Sequence, residues 1–320
     1  MCAGCEYYQE GDVVEKIVKD ISVGKGTSIE QLSKEFLGSG GFVAKKVGVA
    51  TDILGEMFQG SKLNILSFPA CIVSTGTRGL LKDLVKSKKF QMVMTTCGTL
   101  DHDFARIWKP YLHGSFEDSD AELHREKKHR LGNIRIPEDS YGGIIEEKLQ
   151  PMLEDICKEK KSLATYEFVW ELGKRLENEP KKEESIIYWC WKNKIPMIIP
   201  GITDGAFGLQ LLMFMQDHDF TVDVWKDEKF LLGKMFDKQK IGALMIGGGI
   251  SKHHVIWWAQ FGEGLDYAVY ITTAPEWDGS LSGARTREGI SWGKVNENAR
   301  HITVEGDATV LLPLITGPFL

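Results

Sequence analysis

Ala243-Leu244-Met245-Ile246-Gly247-Gly248-Gly249-Ile250-Ser251-Lys252-His253-His254 joins an apolar run to a helical pattern through three consecutive glycines. The run reads as a buried strand. The glycines allow a tight turn whose backbone can approach a phosphate, with the amides of the following helix facing the anion. The stretch does not spell GxGxxG, because Lys252 stands where the last glycine would be, and it is not a P-loop. A strand-to-helix turn without any ligand accounts for the glycines equally well.

The same punctuation recurs on either side. Asn64–Phe68, Gln91–Thr95, Pro196–Ile199 and Tyr267–Ile271 are further short apolar runs, and helical patterns lie between them at Thr77–Ser87, Gly143–Lys158, Tyr166–Glu177 and Asp204–Asp217. This alternation predicts an α/β fold, a doubly wound and mostly parallel sheet with helices on both faces. Residues 1–60 are helical in pattern over Ile29–Phe36 and Phe42–Phe58, with Gly38-Ser39-Gly40-Gly41 as the break. Pro110 to Gly143 is polar and reads as a long excursion from the sheet. The chain is expected to form one domain, 1–320.

Composition bounds the function. The 320 residues are 42% hydrophobic and 26% charged, an ordinary globular balance with core to spare. No apolar run reaches the ~20 residues that span a bilayer, and Met1-Cys2-Ala3-Gly4-Cys5-Glu6 lacks the parts of a secretory signal, so the expected address is the cytoplasm and no membrane partner is expected. A formal charge of -6 without a basic tract argues against nucleic acid; Arg125-Glu126-Lys127-Lys128-His129-Arg130 is interrupted by acid and reads as a solvated face. The six cysteines show no disulfide framework, and Cys2-x-x-Cys5 finds no second half for a metal site, so no metal is expected.

Ligands of open α/β sheets collect at the carboxyl ends of strands. Three such ends carry glycine with polar or ionisable groups: Thr96-Cys97-Gly98-Thr99-Leu100-Asp101, Pro200-Gly201-Ile202-Thr203-Asp204-Gly205, and the triple glycine with His253 and His254. One of the two histidines should face the strand ends, where it could move a proton near neutrality; a capping or core histidine is the plainer alternative. Asp204, Asp278, Glu288 and Asp307 sit in turn-like contexts, and such acids, if they converge, could hold a polyamine, with Trp292 adding a cation–π face. Lys294 follows Ser291-Trp292-Gly293, where partial desolvation would make a neutral amine available for imine formation. By residue type alone it is as readily a surface lysine.

Read together, Gly247–His254, Asp266-Tyr267-Ala268-Val269-Tyr270, Asp278-Gly279-Ser280, Ser282-Gly283-Ala284-Arg285 and Ser291-Trp292-Gly293-Lys294 resemble the signature of the deoxyhypusine synthase family, archaeal type. The likeness runs back through Thr203-Asp204-Gly205, Thr95-Thr96-Cys97-Gly98 and Ser74-Thr75-Gly76-Thr77-Arg78, and so covers most of the chain from about Phe42. It implies a Rossmann-like fold and an NAD-dependent transfer of an aminobutyl group from spermidine to a lysine of the hypusine-carrying translation factor, by a homotetramer. Lys294 matches the imine-forming lysine and His253 the acid/base. Trp292, Asp278, Glu288, Ser282 and His254 match the amine site. Ser74, Thr96, Cys97, Gly98, Asp101, Asp204, Gly247, Gly248, Thr273, Ala274, Asp307 and Ala308 match the NAD site.

The chain also departs from the eukaryotic pattern. Leu209 and Leu281 stand where amine-binding aspartates are found, Trp257 replaces asparagine, and Cys71, Asp101 and His102 differ from Asn, Glu and Glu. A buried ammonium without its carboxylate costs roughly several kcal/mol, so the leucines favour a changed pocket. The same imine chemistry with agmatine or putrescine, or homospermidine synthesis, is the alternative; an inactive NAD-binding subunit beside an active paralogue is the third.

Overall fold

A computed structural model describes residues 16–237 and 239–320 of the chain. Cys2 and Cys5 lie outside the described residues. The chain divides into two compact units, one made of residues up to Phe68 together with Leu231–Leu320, the other of Pro69–Phe230.

In the first unit the amino-terminal helical expectation holds. Ser28 opens the helix Ile29–Ser39 with a reciprocal capping box to Gln31, and Gly40 ends it at φ 70°. The helix Phe42–Gly60 then lies close against it at Gly48, where an added Cβ would come within 2.7 Å of the Leu37 backbone nitrogen. Four parallel strands follow in the spatial order Val295–Glu305, Leu265–Thr272, Ile241–Ile246, Leu63–Ser67. Ile241–Ile246 and Leu63–Ser67 are buried at every residue, which is why they read as unbroken apolar runs. The helix Gly249–Ala259 packs on these two strands, and Phe42–Gly60 packs on the other two.

The second unit holds the parallel pair Met92–Met94 and Met197–Ile198 among the helices Thr77–Lys86, Cys97–Trp108, Gly142–Glu159, Thr165–Arg175, Ile186–Asn193 and Ala206–Asp217. Arg78 and Asp103 form a buried ion pair at 2.7 Å, and Asp103 also accepts from Ser185 Oγ and the Ile187 amide. Asp227 is likewise buried and accepts from the Thr165 amide at the start of a helix. Burial pushes its carboxyl up to about 6.

The α/β, mostly parallel reading is therefore what the strands show. Two features differ from the sequence expectation. The polar excursion is not a bare loop: Leu112–His113, Ile134–Pro137 and Lys128–Leu131 form a three-stranded antiparallel sheet beside the helix Asp120–Arg125. The strand Val295–Glu305 escapes the apolar pattern altogether, because its first half is largely solvated and only His301–Val304 is continuously buried. Among the described residues no helix is long and apolar enough to cross a membrane, and no group of His, Cys, Asp or Glu is arranged to hold a metal ion.

Candidate active site

The triple glycine is needed for backbone reasons before any ligand is considered. Gly247 and Gly249 sit at φ 65° and 75°, where a side chain is strained. Gly248 is different: an added Cβ would fall 2.1 Å from Ser282 Oγ and 2.5 Å from its Cα. The glycine turn and the segment around Ser282 are thus in direct contact, which brings two of the matched blocks together.

That segment is held by its carbonyls. Tyr270 Oη and Thr272 Oγ1 both donate to the Ser282 carbonyl, at 2.8 and 2.9 Å. Lys252 Nζ donates to the carbonyls of Leu281 and Ala284, at 2.9 and 2.6 Å. Asp278 lies exposed just before it, its carboxylate accepting from the Ser280 amide at 2.7 Å. The Ser280 hydroxyl and amide hydrogen bonds hold the Asp278 carboxyl below its usual range.

One helical turn into Gly249–Ala259 the two histidines separate. His253 is exposed and His254 buried. His253 stacks on Trp257, with ring centroids 6.0 Å apart and planes 20° from parallel. Burial, then the nearby Lys294 charge, lower its pKa, so it stays neutral near neutral pH and able to take a proton. Burial, and to a lesser degree His253, push His254 down to about 4.

Lys294 is placed by its backbone. The short helix Thr286–Trp292 ends at Gly293, φ 67°; the Lys294 amide then donates to the Gly289 carbonyl, and its own carbonyl accepts from the Leu265 amide. The strand Val295–Glu305 begins at the next residue. So the lysine sits at the amino end of a strand rather than at a carboxyl end. Its ammonium lies 5.2 Å from the centre of the Trp292 ring, which is 67% exposed. Glu288, in the first turn of the same short helix, is exposed. In the first unit Lys294 thus pairs with Trp292 and acts on His253, while Gly248 meets Ser282 and Glu288 acts on Lys252.

At the carboxyl ends of Leu265–Thr272 and Val295–Glu305 lies a cavity of about 340 Å³, lined by Thr273, Ala274, Glu276, Arg285, Arg287 and Glu305 among others. Arg285 donates to the Ala274 carbonyl and lies 3.6 Å from both Glu276 and Glu305; Arg287 pairs with Glu276. Asp307 caps the next helix, accepting from the Thr309 amide and hydroxyl, and Ala308 is that helix's first residue. The guanidiniums and carboxylates of this cavity were not singled out from the sequence. Their only signal was four charges in two turn-rich blocks.

In the second unit, Cys97, Asp101 and Asp204 fall together. Asp101 is buried, and its carboxylate accepts from Tyr141 Oη at 2.6 Å and from the Ala206 and Phe207 amides, so it caps the helix Ala206–Asp217. Burial, then Asp101, push the Cys97 thiol up to about 12, and a Cβ on Gly205 would meet both residues within 2.8 Å. Gly98 has no room for a side chain against Ala70, Thr96 Oγ1 accepts from the Ala70 amide, Ser74 donates to the Cys71 carbonyl, and Asp204 is exposed.

The deoxyhypusine synthase family model matches residues 31–318. The chain belongs to the deoxyhypusine synthase family. Relatives agree along the whole length. A protein named "Probable deoxyhypusine synthase" from Picrophilus torridus is 53% identical over 310 residues, 97% of this chain and 98% of that one. One of the same name from Sulfolobus acidocaldarius is 44% identical, covering 97% and 98%. A crystal structure described as "a putative deoxyhypusine synthase" from Entamoeba histolytica superposes with a TM-score of 0.63 at 21% identity, covering 94% of this chain and 95% of that chain, a likeness of fold. Membership of this enzyme family places the chain among transferases of hypusine biosynthesis.

Proposed function

We propose that the chain transfers an aminobutyl group from spermidine, by way of an imine on Lys294, to a lysine of the hypusine-carrying translation factor. The observation that carries this reading is the grouping of the Lys294 ammonium with the Trp292 ring and with a neutral His253. The indole favours a cation beside it, so Trp292 serves both the enzyme ammonium and a substrate ammonium. Glu288 and Asp278 supply carboxylates for the amine. His253 takes the proton that Lys294 must lose before its nitrogen can attack, and returns one to the departing diaminopropane nitrogen. Displacement of Lys294 by the factor's lysine moves the fragment on.

NAD suits the residues present. The cavity beside Thr273 and Ala274 offers guanidiniums for phosphate and carboxylates for ribose hydroxyls. Asp307 and Ala308, in the same unit, belong to the proposed set. When bound, NAD supplies the reversible oxidation of the amine carbon, with no net redox change. A homotetramer acting in the cytoplasm belongs to the same proposal.

A second donor is favoured by Trp257 and Leu281: the aromatic ring beside His253 replaces an amide, and Leu281 brings no carboxylate. Agmatine or putrescine would then be the amine.

The test is transfer of label from spermidine to the purified factor in the presence of NAD. The wild type labels it and Lys294→Ala does not. Labelling that survives Lys294→Ala assigns the nucleophile elsewhere, and faster turnover of agmatine or putrescine selects the second donor.

A further inference from the structure

Lys252 is 2% exposed, yet no carboxylate bonds it directly. Its ammonium faces two backbone carbonyls, those of Leu281 and Ala284, and lies 3.5 Å from the centre of the fully buried Tyr270 ring. Of the two carbonyls between them, that of Ser282 is taken by Tyr270 Oη and Thr272 Oγ1. Four hydrogen bonds from three side chains, on one helix and one strand, therefore fix a turn of four residues whose Ser282 closes on Gly248. The helix that carries Lys252 inward carries His253 outward at the next position. One element thus sets both the amine-side turn and the base.

The charges acting on Lys252 are few. Glu288, beyond the turn, favours its charged form, while Arg285 opposes it. Arg285 is itself shared between Glu276 and Glu305. Burial pushes the Tyr270 phenol up, so it stays neutral. The cost of burial outweighs this support, together with that of the two carbonyls and the Tyr270 ring face, and brings Lys252 from 10.5 down to about 7.

We propose that Lys252 is the positioning residue of the amine site, and that it releases its proton to solvent when a substrate ammonium occupies Glu288. This rests on the reading of Glu288 as an amine ligand. A cation at Glu288 offsets a carboxylate that favours the charged lysine and adds repulsion. The loss leaves the turn in place: an ammonium has three N–H donors and a neutral amine two, which is the number of carbonyls Lys252 faces. The step is one N–H bond broken, with the proton passing to buffer. The site thereby admits a polycation without holding an additional buried charge beside it.

Titration calorimetry of the NADH-loaded enzyme, in which the amine binds but cannot be oxidised, with spermidine in phosphate and in Tris, counts protons exchanged per amine bound. The expected result is net release, largest near pH 7 and small at pH 5 and 9. Lys252→Met should abolish that release and raise the amine KM at least tenfold with kcat changed less than threefold. Damage to folding alone would lower kcat through the active fraction and leave KM in place. Spermidine binding without proton release by the wild type overturns the proposal, whether or not the variant folds. So does a folded Lys252→Met enzyme with an unchanged amine KM. No spermidine binding at all overturns the reading of Glu288 itself, a different outcome seen as absence of heat.

Discussion

The ammonium of Lys294 lies 5.2 Å from the centre of the Trp292 ring, and this one pairing joins the residue proposed to react to the residue proposed to hold the amine. A cation over an exposed indole is worth about 0.5–1 kcal/mol, and about 2 once water is displaced. Trp292→Ala should therefore lower kcat/KM for the amine by roughly ten- to thirtyfold, and Trp292→Phe by less. Steady-state kinetics on the two variants measure it.

Gly248 is the point where the glycine turn meets the Ser282 segment. Gly248→Ala forces a Cβ onto Ser282 backbone and should cost about 2 kcal/mol or more, with loss of amine turnover. Gly79, exposed in the helix Thr77–Lys86 with nothing within 4 Å of an added Cβ, is the control; Gly79→Ala should stabilise by about 0.5–1 kcal/mol. Denaturant unfolding of both variants gives the comparison.

Far from this neighbourhood in sequence, Asp103 is fully buried and serves Arg78, Ser185 and the Ile187 amide at once. Asp103→Ala strands a buried guanidinium and should cost about 3–5 kcal/mol. Thermal and urea unfolding would show it as a large fall in midpoint.

Acid should weaken the fold through buried histidines. Burial, then Arg106, push His102 down to about 4, and His254 is held at about 4 in the same way. Each stays neutral in the folded chain while the unfolded chain takes up a proton near pH 6.5. Stability is thus whole above that pH and is lost as pH falls from about 6.5 toward 4. The loss is about 2 kcal/mol per histidine at pH 5. Asp227, raised to about 6, opposes this, since it holds its proton in the folded chain when the unfolded chain has lost it. Unfolding measured at pH 7.5 and 5 should show a smaller acid loss for His102→Gln than for the wild type.

Much of this was legible in the sequence, for reasons that can be named. Ile241–Ile246 and Leu63–Ser67 are buried on both faces, so their composition alone marks them. The glycines at 247 and 249 announce themselves by residue type. Val295–Glu305 does not, because the solvated half of a strand carries no apolar period. The antiparallel strands of the excursion are two to four residues long and mixed in charge, too short for alternation to register. Within the site, Lys294 and His253 stood out by their blocks. Lys252 did not, since a lysine after a turn reads as solvated, and only the carbonyls of Leu281 and Ala284 reveal that it is enclosed.

The departures from the eukaryotic pattern give a specificity test. Leu281→Asp combined with Trp257→Asn should move the donor preference toward spermidine if the present residues favour another amine, by about tenfold in the ratio of kcat/KM values. Competition between spermidine and agmatine reads the ratio directly.

The central claim is that Lys294 carries the fragment. Enzyme incubated with NAD and spermidine, then reduced with borohydride and digested, should yield one modified peptide by mass spectrometry, with a four-carbon amine on Lys294. A fragment trapped on another lysine, Lys252 included, or no trapped fragment from any amine that is turned over, would contradict the account.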